Sequence, residues 1–169
     1  MKGKVGDLAF SFDKNEKVLF FGLGKKKDVK PEDFRRAAGS IVNFVIDKKY
    51  ASLAVECRSS GMDAYNCQAF SEGLILASYR FLDYFSDERA DYHLKNITMV
   101  GTCNKNASKK GAIIASAVCD SRDLANHPGN ITTPTRLANF AKEVGKKGNM
   151  KVTVFDSCLL YTSPSPRDS

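Results

Sequence analysis

Five cysteines, two histidines and one glycine-lysine run are the residues best suited to chemistry in this 169-residue sequence. Cys57, Cys67, Cys103, Cys119 and Cys158 are scattered without a C-x-x-C pair, which argues against a zinc ribbon and against a thioredoxin-type redox pair. They read as free, mostly buried thiols. His93 and His127 have no second ligand at metal spacing, so they read as surface or loop histidines. Gly22-Leu-Gly-Lys-Lys-Lys27 follows a strand-like run, where a phosphate-cradling loop would sit. It lacks the third glycine of G-x-G-x-x-G and the spacing of G-x-x-x-x-G-K-[ST], so it reads as a strand-ending turn with solvated lysines. No Gly-x-Ser-x-Gly elbow supplies a serine nucleophile. Spacing and chemistry alone describe a cytosolic α/β domain with no visible catalytic constellation.

Composition narrows the partners. The 26 Lys and Arg against 19 Asp and Glu give a net charge of +7. The pairs Lys109-Lys110 and Lys146-Lys147 lie at element ends, however, and no basic stripe with interleaved aromatics forms. Nucleic acid is therefore supported by net charge alone, a nonspecific signal. A content of 43% hydrophobic and 27% charged residues is that of a globular chain. No apolar run approaches the roughly 20 residues that cross a bilayer, so no membrane partner is expected. Met1 to Asp7 carries charge without the apolar stretch of a secretory signal, which points to the cytoplasm. The sequons at Asn96, Asn106 and Asn130 then lose their meaning as glycosylation sites. The length allows one domain or slightly more and excludes solenoids and large barrels.

Short β-rich runs alternate with segments of helical period, the pattern of an α/β layer fold. Leu8 to Phe12 and Lys17 to Leu23 read as strands around a polar turn at 13–16, a hairpin. Pro31 fits the first turn of a helix whose apolar face is Phe34, Ala37, Ala38, Ile41, Val42, Val45 and Ile46. Ser52 to Glu56 is a third strand. A second helix carries Phe70, Leu74, Ala77 and Phe81, and Asn96 to Gly101 is a fourth strand. A third helix carries Ile113, Ile114, Ala117, Val118 and Leu124 and stops near Asn126, before Pro128. Thr133 followed by Pro134 is an N-cap with proline at the first helical position, opening a helix with Leu137, Phe140, Ala141 and Val144. Gly145 and Gly148 end it, and Lys151 to Phe155 reads as a strand.

The segment Ser121 to Pro134 combines a helix end, a Pro/Gly-broken crossing and a freshly capped helix. Asn126 and Asn130 suit the tying of its backbone. Its residues Arg122, Asp123, Leu124, Asn126, Pro128, Asn130, Thr133 and Pro134 strongly resemble the R-D-L-x-N-x-P-x-N-x-x-T-P signature of the leucyl aminopeptidase (cytosol aminopeptidase) family. Other pieces agree in order and spacing. Val18 to Lys25 resembles the family's strand ending in G-L-G-K. Phe34 to Gly39 resembles its R-x-A-A-G helix. Glu72-Gly73 with Tyr79, Phe81 and Tyr84 is similar to its E-G-x-x-L-x-x-Y-x-F helix.

The resemblance implies a mixed sheet flanked by helices, similar to macro domains, truncated at both ends. It implies a noncatalytic amino-terminal domain over 1–108, a connecting helix over 109–126 and the start of a catalytic domain over 127–157. It also implies a parent enzyme that removes amino-terminal residues from peptides, assembles as a hexamer, and uses two divalent metals, zinc or manganese, to activate water and polarise the carbonyl. The family's metal-ligand stretches have no counterpart here, so no catalytic or metal residue is assigned and this chain alone is expected to be inactive. Phe155-Asp156-Ser157 spells part of one such stretch, but no V-G-K-G precedes it and no glycine pair follows. Cys158 to Asp168 back-translates into one reading frame of the mosaic-end adapter of transposon-based sequencing libraries, so 158–169 is read as an artefact. The alternative function is a stand-alone macro-like module binding a nucleotide-type ligand or nucleic acid.

Overall fold

In a computed structural model of the chain, the described residues are 4, 6–13, 16–25, 27–57, 62–85, 94–101 and 103–155. Among them the elements run β1 (Leu8–Asp13), β2 (Glu16–Phe21), α1 (Pro31–Asp47), β3 (Ser52–Glu56), α2 (Ala64–Ser78), β4 (Asn96–Val100), α3 (Lys105–Asn126) and α4 (Pro134–Lys147). The chain divides into two units, Met1–Asp123 and Leu124–Ser169, and the division falls in the last turn of α3. His93, Asp156, Cys158 and the adapter-like 158–169 lie outside the described residues.

In the first unit, β1 and β2 form the expected antiparallel hairpin, in register from Leu8 opposite Phe21 to Asp13 opposite Glu16. β3 and β4 run parallel, from Ser52 beside Asn96 to Glu56 beside Val100. Parallel neighbours cannot be joined by a tight turn, and the connection between them contains α2. Antiparallel and parallel pairing with flanking helices is the α/β class expected, carried as two two-stranded sheets among the described residues.

The helices follow from their sequences. Pro31 opens α1, and the Asp33 carboxylate accepts the Lys30 N–H at 2.9 Å, satisfying one orphan donor. The stripe from Phe34 to Val45 is buried. Asp63 caps α2 by accepting the Asn66 N–H at 2.8 Å. Every residue of α2 from Ala69 to Leu74 is buried, which makes it the central helix. Phe34, Ile41, Val42 and Val45 of α1, Val55 of β3, Phe70 and Leu74 of α2, and Leu94 form one core. The hairpin joins it through aromatic pairs, Phe21 with Phe70 (centroids 6.0 Å apart) and Phe10 with Phe44 (5.7 Å).

The helices differ from the sequence reading at three points. α2 stops at Ser78, short of Phe81, because Tyr79 turns extended (φ −63°, ψ 131°). Arg80 Nη1 then donates to the carbonyls of Ala77 and Tyr79, at 2.9 and 2.8 Å, a basic side chain closing the helix end. α3 starts at Lys105, about a turn ahead of Lys109, with the Asn104 side-chain oxygen accepting the Ala107 N–H at 3.0 Å. Its buried residues are Gly111 and Ala115, while Ile113, Ile114 and Val118 are exposed. A Cβ on Gly111 would collide with the Gln68 carbonyl of α2, so α3 lies against α2 by its small residues.

The second unit includes the last residues of α3 from Leu124, the crossing at 127–133, α4 and the described stretch to Phe155. Lys151 to Phe155 is not a strand. A strand needs a partner for its ladder, and among the described residues none pairs with it. Instead the Met150 N–H donates to Gly145 O at 2.8 Å and Val152 packs against Gly145, where a Cβ would collide with it.

Candidate functional site

Three polar constellations sit where elements meet. The first joins α1 to α2. Arg35 donates to Glu72 Oε2 from Nε at 3.1 Å and from Nη2 at 2.5 Å, and its Nη1 bonds to Glu32. Gln68 Nε2 donates to the other Glu72 oxygen at 2.8 Å. Two of the resembling motifs therefore interlock. Arg35 opens R-x-A-A-G and Glu72 opens E-G, and Ala38 and Gly73 of the same motifs lie so close that a Cβ on Gly73 would fall 2.8 Å from the Ala38 Cβ.

Burial alone would raise the Glu72 carboxyl. Hydrogen bonds from Arg35 and Gln68, with the charge of Arg35, outweigh it and hold the group below its ordinary 4.5. A buried carboxylate with donors on both oxygens is a poor general acid or base; its work is to tie helices. Because its folded value is depressed, its stabilisation is fully present above about pH 4.5 and is lost as pH falls through the folded value. Urea midpoints measured from pH 6 down to pH 3 should fall more steeply for wild type than for Glu72→Gln; parallel curves would contradict this.

The second constellation is a thiol cluster. Cys57 follows β3, Cys67 lies on α2 and Cys103 follows β4. Cys103 Sγ donates to Cys67 Sγ at 2.7 Å, and Cys67 Sγ also accepts the Asn104 N–H at 3.3 Å. All are free thiols, Cys57 and Cys67 buried and Cys103 partly so. Burial pushes the Cys103 thiol up, reinforced by its hydrogen bond to Cys67, and burial likewise raises Cys57. The sequence showed the cysteines but not their meeting. The signal available was topological, since parallel strands bring the residues after β3 and β4 to the same end of the sheet.

The third constellation contains the signature. Arg122 and Asp123 bind the end of α2: Tyr79 donates to Asp123 Oδ1 at 2.7 Å, and Arg122 Nη1 donates to Leu76 O at 3.4 Å with its guanidinium 5.5 Å from the Tyr79 ring centre. Within the second unit, Thr132 Oγ1 donates to Leu124 O at 3.0 Å, and the N–H groups of Ile131 and Thr132 both donate to Pro128 O at 2.9 Å. Thr133 caps α4, its hydroxyl accepting the Arg136 N–H at 3.3 Å, with Pro134 as the first helical residue. Thr132, Thr133 and backbone groups tie the crossing, and Asn126 and Asn130 lie at its surface. Gly22 to Lys25 is irregular backbone after β2, with Gly24 left-handed (φ 82°), and Lys25 and Lys27 are exposed.

Among the described residues no three His, Cys, Asp or Glu side chains are placed to hold a metal ion, and no helix is long and apolar enough to cross a membrane. The arrangement is one of helix ties and thiols.

The family model for the cytosol aminopeptidase family, N-terminal domain, matches residues 1–88. A probable cytosol aminopeptidase of Clostridium perfringens (strain 13 / Type A) is 32% identical over 167 residues, covering 91% of this chain and 33% of that protein. Of solved structures, the bottromycin maturation enzyme BotP superposes with a TM-score of 0.81 at 25% identity, over 94% of this chain and 35% of that one. Its complex with Mn gives 0.79 at 25% identity, over 94% and 34%. A tomato leucine aminopeptidase mutant gives 0.72 over 94% of this chain and 33% of that one, at 20% identity, a likeness of fold. The chain spans about a third of the length of the curated relatives it matches. A domain model that accounts for residues 1–88, and a relative alike along nine-tenths of the chain, lead to one assignment: the protein belongs to the cytosol aminopeptidase family, whose N-terminal domain it carries.

Proposed function

We propose that this chain is the noncatalytic amino-terminal part, with the opening of the catalytic domain, of a leucyl-aminopeptidase-type metallopeptidase. The carrying observation is the match of the N-terminal-domain family model to residues 1–88. In this reading the first domain covers 1–108, the connecting helix ends at Asn126, 127–157 begins the catalytic domain, and 158–169 are adapter-derived. Arg122, Asp123, Leu124, Asn126, Pro128, Asn130, Thr133 and Pro134 hold the crossing between domains. Hydrogen bonds at Asp123, Thr132 and Thr133 support that structural role.

The parent protein removes amino-terminal residues from peptides, is cytoplasmic, and assembles as a hexamer. Its two divalent metals, zinc or manganese, would activate water and polarise the scissile carbonyl. The described residues do not fit such a pair, for no group of three or more His, Cys, Asp or Glu among them is placed to hold a metal ion. The metals are therefore assigned to the catalytic region. The names of the relatives and the Mn complex of BotP support this reading.

The test is hydrolysis of a leucine amide by the purified 169-residue chain with added manganese. No metal-dependent turnover is expected, and turnover by this chain would overturn the division of labour.

A further inference from the structure

The thiol cluster has no part in the proposed peptidase function. We propose that Cys67 and Cys103 are a redox-modification site, joined as a disulfide by a small-molecule disulfide of the glutathione class. The bond staples the first turns of α2 to the segment leading into α3. The sulfurs lie 2.7 Å apart, about 0.7 Å beyond bonding distance. The neighbouring Asn104 N–H donates to Cys67 Sγ at 3.3 Å, so the backbone beside Cys103 is already held against its partner. The third thiol, Cys57, is also in hydrogen-bonding reach of Cys103. Pairwise sulfur–sulfur bonding is the chemistry that the approach of Cys67 and Cys103 supports.

Exposure fixes the order of events. Cys57 and Cys67 are 2% and 0% exposed, whereas Cys103 is partly exposed, so the reagent meets Cys103 first. Because burial and its hydrogen bond to Cys67 hold the Cys103 thiol up, only its small thiolate fraction reacts, so the step is slow and speeds up as pH rises. That thiolate, its proton given to solvent, attacks the reagent disulfide. A Cys103–reagent bond forms, the reagent's S–S bond breaks, and one thiol leaves with a proton. Cys67, deprotonated in turn, attacks the Cys103 sulfur and expels the second reagent thiol. Two protein thiols are oxidised and one reagent disulfide is reduced to two thiols. Cys57 can exchange into the same bond at Cys103. Cys119, on α3 beside Asp120, Arg122 and Asp123, serves as the reference thiol.

The folded chain would be equilibrated over a series of oxidised-to-reduced glutathione ratios, trapped with a maleimide and mapped as nonreduced peptides. The expected result is a Cys67–Cys103 link that grows with oxidant, about tenfold or more above any link to Cys119, as held neighbours react at high effective concentration. In urea the preference should vanish. Cys57→Ser should keep the link, Cys103→Ser should abolish it, and Cys57→Ser with Cys67→Ser should leave glutathione stranded on Cys103. Free Cys67 and Cys103 at every ratio, a stable glutathione adduct in wild type, or equal linking to Cys119 would each overturn the proposal. The wild-type comparison between buffer and urea decides the matter even if a variant fails to fold.

Discussion

Gly73→Ala is expected to destabilise the chain by about 3 kcal/mol, at the upper end of overpacking effects, and Gly73→Val to prevent folding. In an exposed helix the alanine would gain about 1 kcal/mol from propensity, so any net loss comes from the interface. A Cβ on Gly73 would collide with the Arg35 carbonyl, and would reach the Arg35 Cα at 2.9 Å and the Ala38 Cβ at 2.8 Å. Two of these atoms are backbone, which no rotamer change can move aside. α1 and α2 would have to part, opening the core built from Phe34, Ile41 and Val42 against Phe70 and Leu74. Gly129→Ala, where a Cβ meets nothing within 4 Å, is the matched control and should shift the urea midpoint little. Gly73→Ala at or above wild-type stability would show that the helices are not held at this distance.

Arg35→Met should cost about 3 kcal/mol, the lower end for breaking a buried pair. Glu72 is 6% exposed and, among the described residues, keeps Gln68 as its one side-chain donor once Arg35 is gone, so its carboxylate is left largely uncompensated. The lower end applies because the Arg35 side chain is itself 35% exposed and water screens the pair. Removing both charges, as Arg35→Met with Glu72→Leu, should restore most of the loss, since two well-packed apolar groups need no partner. Chemical denaturation of the four proteins forms a double-mutant cycle. Additive losses in the double variant would mean that the pair contributes no coupling.

The same interface marks how far the sequence could be read. The α1 stripe was legible because its spacing of three and four matches the helix, and its six inner residues are buried. The Arg35 and Glu72 motifs were legible separately, but nothing in their spacing said that they face one another across two helices. α3 was misread at its packing face. Hydrophobicity pointed to Ile113, Ile114 and Val118, yet the close approach to α2 at Gln68 requires Gly111, and Ala115 is the other buried residue of the helix. Lys151 to Phe155 has β-forming residues, but strand propensity cannot supply a neighbour. Of the signature, the Thr133 cap was local and visible, whereas the reach of Arg122 and Asp123 to Leu76 and Tyr79 depends on tertiary structure.

The two strand pairs also set a timetable. β1 and β2 meet across a short turn and can zip on a scale of about microseconds. β3 has no such shortcut, because Ser52 must find Asn96 with the whole of α2 lying between them in the chain. The loop-closure entropy is spent before the parallel ladder returns anything. Chain entropy therefore makes the pairing of β3 with β4 the slower of the two closures. The hydrogen bond from the Cys57 N–H to Val100 O, at 2.9 Å, extends that ladder one residue past β3.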